Sequence, residues 1–78
     1  AAYNEYSLSL ENYFTYKENL SLAENIENKN QLKYFEGIIT GFELRQIQLQ
    51  LYNSQNNYLK SIQNMIVKKI NLESLINN

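Results

Sequence analysis

Proline, cysteine, histidine and tryptophan are all absent from this 78-residue chain, and glycine occurs only twice. Without cysteine or histidine there are no disulfides, no thiolate or imidazole metal sites and no usual nucleophile–base pair. The reading is therefore of a chain that is no enzyme and needs no cofactor. Seven Lys and Arg nearly balance eight Asp and Glu, for a net charge of -1. A basic footprint of the kind that grips phosphates is missing, which argues against a nucleic-acid partner. The first residues, AAYNEYSLSL, show no basic segment followed by an apolar one, so no secretory signal is read there. No apolar run approaches the roughly 20 residues that span a bilayer as a helix; the longest cluster is Met65-Ile66-Val67. A lack of cysteine fits periplasm and cytoplasm alike.

What is present is helical periodicity in two halves. In the first, Tyr6, Leu10, Tyr13, Lys17, Leu20, Ala23, Glu27, Asn30 and Tyr34 follow one another at steps of three or four residues. This seam turns polar towards its end. In the second half the same stepping gives Leu44, Ile47, Leu51, Ser54, Tyr58, Ser61, Met65, Lys68, Leu72 and Leu75, a diluted heptad with small residues where helices can approach closely. Beside it runs a second stripe, Leu59, Ile62, Ile66 and Ile70, so the far end of this helix offers a face broad enough for more than one neighbour. Each half, at about 35 residues and 1.5 Å per residue, reaches about 50 Å, a length that suits a coiled coil or helical array. Glu5, Glu11, Glu18, Glu24, Glu27 and Glu36 outnumber the lysines of the first half, whereas Arg45, Lys60, Lys68 and Lys69 dominate the second. Exposed pairs are worth a few tenths of a kcal/mol each, so they bias the pairing of the halves without driving it.

Both glycines fall between the halves, in KYFEGIITGFELRQ. Gly37 stands where a helix places a left-handed residue just past its end, with Ile38 positioned to touch Leu32; the first helix is expected to end near Glu36. TGFE then reads as a capping box, with the Thr40 hydroxyl accepting from the Glu43 amide and the Glu43 carboxylate accepting from the Thr40 amide. Ile39 and Leu44 are placed as its hydrophobic staple. Gly41 falls at the first helical position, which does not require glycine; either something approaches the turn closely there or the residue is simply tolerated. The expected fold is all-α, an antiparallel two-helix coiled-coil hairpin with a first helix over residues 1–36, a turn over 37–41 and a second helix over 42–78.

The segment from about Glu18 to Asn77 resembles the C-terminal repeat of the TolC family of bacterial outer-membrane efflux proteins. The resemblance is carried by Leu20, Ala23, Tyr34, Gly37, Glu43, Leu44, Gln46, Gln48, Gln55, Tyr58, Leu59, Leu72 and Leu75. It implies a trimeric duct, a β-barrel in the outer membrane of a Gram-negative bacterium continued by a periplasmic α-barrel, of which this chain is one hairpin. It further implies that Gly37, Ile38, Ile39, Thr40 and Gly41 are presented to a periplasmic adaptor protein, with an inner-membrane pump engaged indirectly. By the same resemblance Glu43 and Tyr34 fall at positions that line or tether a closed aperture in some members. Gln46 stands where a second acidic residue is frequent, and Ile39 where some members carry a basic latch, so neither a double acidic ring nor that latch is implied. Neither half alternates with period 2, so the β-strands of such a protein lie outside this sequence and a longer polypeptide is expected.

Each of these residues also has a plainer role. Tyr34 suits a seam aromatic at the end of a hairpin, Glu43 a carboxylate at a helix N-terminus, and Lys68 a snorkelling or acid-paired lysine. Tyr3, Tyr6, Tyr13 and Tyr16 suit interhelical packing with wet hydroxyls, a stacking platform for sugars or bases being the other reading. Two further functions stay open on the sequence: a stand-alone coiled-coil interaction module, from the heptads alone, and a hairpin lying on lipid, from the broad face near Ile62 and Ile66.

Overall fold

The computed structural model describes residues 2–77; Ala1 and Asn78, the outer limits expected of the two helices, lie outside the described residues. Two helices account for nearly all of the rest: α1, Ala2–Phe35, and α2, Gly41–Asn77. They fold back on each other as an all-α hairpin of 61 × 14 × 14 Å, and no strand occurs among the described residues. At the turn α1 stops at Phe35 and α2 starts at Gly41.

Two rods touching along one edge cannot enclose an interior. The accessible surface is 6008 Å², against about 4,900 Å² for a compact chain of this mass. Among the described residues no apolar side chain is fully buried, and the three residues that are buried are polar: Ser9, Glu27 and Ser61. The two serines explain how the helices approach. Ser9 is only 2% exposed, and its hydroxyl donates to the Tyr6 carbonyl at 2.6 Å; Ser61 does the same to Tyr58 at 2.6 Å. Each hydroxyl is satisfied by its own helix, so its burial leaves no orphaned donor. Glu27 accepts from the Gln31 amide one turn on, and Asn30 donates to the Ile26 carbonyl at 2.7 Å, which settles the polar end of the seam in the same local way.

In α2 the seam runs as the stepping predicts: Leu44, Ile47, Leu51, Ser54, Tyr58, Ser61, Met65, Lys68 and Leu72 are buried or half-buried, with Leu75 exposed at the end. In α1 it differs near the start. Lys17 is exposed and Leu10 only half-buried, while Ser9 carries the tightest contact, with Tyr16 borderline. The stepping 6, 9, 13, 16, 20, 23, 27, 30, 34 is regular, so Ser9 and Tyr16 hold the places expected of Leu10 and Lys17. A small side chain wins there because close backbone approach needs little volume. The Lys17 ammonium instead lies 6.0 Å from the centre of the Tyr13 ring, within cation–π range.

Halfway along, Tyr13 and Tyr58 meet across the seam with ring centres 5.6 Å apart and hydroxyls at 3.4 Å. Phe14 meets the Tyr13 ring edge-on at 5.3 Å. Near the open end the Lys68 ammonium lies 3.5 Å from the Glu5 carboxylate, the acid partner foreseen for that lysine. Both groups are substantially exposed, so the pair orients the helices more than it stabilises them.

Two outcomes follow for the hairpin's stability. Ser9→Leu overpacks the closest approach and lowers stability by about 1–3 kcal/mol, whereas Ser9→Ala stays within about 0.5 kcal/mol because the lost bond goes to a carbonyl already engaged by its helix; urea unfolding followed by circular dichroism distinguishes them. The Tyr13 hydroxyl bonded to Tyr58, followed by burial, holds the Tyr58 phenol above its ordinary range. A raised folded value means that its contribution is complete below the ordinary phenol value of about 10 and is lost as pH climbs through the folded value. Tyr58→Phe is therefore expected to flatten the alkaline arm of a stability–pH curve, read by the same unfolding assay.

Candidate functional site

The turn at residues 36–40 is built from two interlocked stop and start signals. Gly37 adopts φ 76°, the left-handed conformation that side chains resist. Its amide donates to the Tyr34 carbonyl at 3.0 Å and the Ile38 amide reaches the Lys33 carbonyl at 2.8 Å, which is the bond pair of a Schellman stop. Two residues later the next helix begins. The Glu43 amide donates to the Thr40 hydroxyl at 3.1 Å, the Thr40 amide donates to a Glu43 carboxylate oxygen at 3.2 Å, and the Leu44 amide closes the first turn on the Thr40 carbonyl at 3.1 Å. The capping box is thus formed in both directions, with Glu43 also well placed for the positive end of the helix dipole. Ile39 and Leu44, the expected staple, are both half-buried.

The residues expected at the tip are brought together as one surface. Around Gly37 there is open space where a Cβ would point, so only its backbone conformation demands glycine. Gly41 is different: a Cβ there meets the Tyr34 ring at 3.6 Å and its hydroxyl at 3.8 Å, ordinary contact distances. The close neighbour of Gly41 is therefore Tyr34 of the same chain, and an alanine fits. Tyr34 itself is half-exposed over a cleft of about 440 Å³ lined by Gly41, Phe42, Leu44, Arg45 and Gln48, and its ring meets Phe35 edge-on at 6.3 Å. Gln46 is exposed one turn beyond Glu43.

One feature of the tip is not carried by the heptad. Phe35 is 86% and Phe42 71% exposed, and with Leu32 and Ile38 they surround the turn with bare apolar side chains. They lie off the seam stepping, and that is the signal by which they could be found: an apolar residue outside the seam of a two-helix unit has no partner within the unit. Such a collar around polar caps is the composition of a contact surface. No group of three or more His, Cys, Asp or Glu side chains among the described residues is arranged to hold a metal ion, and no described helix is long and apolar enough to cross a membrane.

Comparison with protein-family models, with curated proteins and with solved structures finds no match. The arrangement at the tip therefore carries the functional argument together with the sequence resemblance.

The two glycines predict opposite signs. Gly37→Ala forces a side chain into φ 76° and is expected to cost about 1 kcal/mol, whereas Gly41→Ala, in helical backbone with room for the methyl, is expected to gain about 0.5 kcal/mol. Denaturant midpoints of the two variants against the parent chain read both signs directly.

Proposed function

We propose that this chain is one stave of a helical barrel: the periplasmic tip hairpin of a TolC-like outer-membrane channel in a tripartite efflux system, its turn docking a periplasmic adaptor protein. The observation that carries this reading is the hairpin's incompleteness. Among the described residues its two helices bury no apolar side chain fully, yet Leu59, Ile66, Ile70 and Leu8 along its length and Phe35 and Phe42 at its tip are bare. Such a unit is stable where neighbours of the same kind cover its flanks, as staves of a barrel do.

The tip supports the docking role. Gly37 turns the chain in open space, Ile38 stands exposed beside it, and the caps on either side fix both against rotation. A preorganised, partly apolar turn at the end of a rod about 60 Å long suits end-on contact with another hairpin, because little conformational entropy is lost on binding. The sequence resemblance to the TolC family, carried at the turn by Tyr34, Gly37 and Glu43 and beyond it by Gln46, Gln48 and Gln55, suggests the remaining particulars: trimeric assembly, a periplasm-facing position and an inner-membrane pump reached through the adaptor. Tyr34, Glu43 and Gln46 are then the residues of this chain nearest the aperture.

The test uses the intact channel. Gly37→Trp adds bulk at the contact and strains the stop, so efflux of a fluorescent drug is expected to be abolished while trimers remain in the membrane at normal level. Normal efflux with that variant contradicts the adaptor-docking role.

A further inference from the structure

Glu43, Gln46, Gln50, Asn53, Asn57, Lys60 and Asn64 recur at alternating steps of three and four along one edge of α2. Beyond the acid Glu43 they form a ladder of five amides broken by a single cation. Beside it, on the same side of the hairpin, Asn12 and Tyr16 of α1 join Asn57, Lys60, Ser61 and Asn64 around a cleft of about 230 Å³. The opposite edge of α2 carries the apolar stripe of Leu59, Ile62 and Ile66, so the two edges of α2 differ in chemistry, although Leu22 and Ile26 of α1 stand beside Gln50 nearer the tip.

The setting of Lys60 is unusual for a surface lysine. One helical turn away in either direction stand Asn56, Asn57, Gln63 and Asn64, with no acid to pair it. Among the described residues it takes part in no ion pair, unlike Lys68. Glu43, the acid on the same edge, is 17 residues back by the numbering, which is about 26 Å along the helix and beyond the screening length of about 8 Å at physiological salt. Within α2 the cation is thus uncompensated, and the acid of α1 next in sequence to the cleft, Glu11 beside Asn12, makes no ion pair with it. Around it, side-chain amides and the Tyr16 hydroxyl can each donate a hydrogen bond to an anionic oxygen. Ser61 contributes shape only, since it is buried and its hydroxyl is engaged with Tyr58.

We infer that the cleft at Asn12, Tyr16, Asn57, Lys60 and Asn64 is a transit site for small oxyanions, a carboxylate or a phosphate, on the wall of the duct. This rests on the barrel reading, in which the edge bearing Glu43 and Gln46 lines the aperture and the ladder above it lines the passage. Solutes moving along that wall meet uncharged amides, then one positive charge per hairpin with donors on both sides. The arrangement favours weak, exchangeable binding of anions, because the cleft is open and its charge is solvated.

The full-length protein in planar bilayers tests this, with inorganic phosphate as the probe. Phosphate added to a chloride solution is expected to reduce single-channel current, and Lys60→Gln to raise at least fivefold the phosphate concentration that halves the variant's own chloride current. Lys60→Arg keeps the block, as does Lys69→Gln, which removes a cation from the other edge of α2. Equal block in Lys60→Gln and the parent overturns the oxyanion site while leaving the duct in place. Full-length protein that inserts and conducts nothing overturns the duct reading, and the site with it.

Discussion

The burial of two small residues in the seam, Ser9 on α1 and Ser61 on α2, is the constraint on which the rest of the structure depends. Small side chains there let the backbones come together, and each hydroxyl turns back onto its own helix, so the seam needs no polar pairing across it. Towards the tip the seam continues with Tyr13 against Tyr58, Ala23 beside Ile47 and Ser54, and then Glu27 with Asn30. Narrow approach has a cost. A seam this thin leaves no described apolar side chain fully buried, and the bare flanks of both helices follow from it.

The tip obeys a separate and more local logic. One chain segment of five residues must end a helix, reverse and start another, and the Schellman bonds and the capping box satisfy the exposed carbonyls and amides of both ends within that span. The turn therefore owes little to the packing of the rods. It can present Ile38 and the surrounding phenylalanines rigidly at the end of a long lever, which is what a docking surface at the mouth of a duct requires. Thin rods with bare flanks and a stiff, self-capped tip are complementary properties for the proposed stave.

How much of this is legible in the sequence depends on the range of the interaction. The caps are legible to the atom, because Gly37, Thr40 and Glu43 act on backbone groups three or four residues away. The α2 seam is legible as well, including Ser54, Ser61 and Lys68, since a strict heptad tolerates polar members. In α1 apolarity is a misleading guide: Leu10 looks the better seam residue, yet close packing selects Ser9, and volume at a contact cannot be read from one helix alone. Phe35, Phe42 and Leu32 show in the sequence only as apolar residues off the seam, and the surroundings of Lys60 only as a run of amides; the collar and the cleft that they form are not legible, for a related reason. Both are set by which side of a helix its neighbour leaves uncovered, and that is known only when the helices are docked.

The account stands or falls on what the tip touches. A photo-cross-linking residue placed at Ile38 of the full-length protein, irradiated in living cells, reports that contact directly. The account predicts adducts between the channel and a periplasmic adaptor protein. Adducts confined to other copies of the channel chain, or none at normal expression, contradict it.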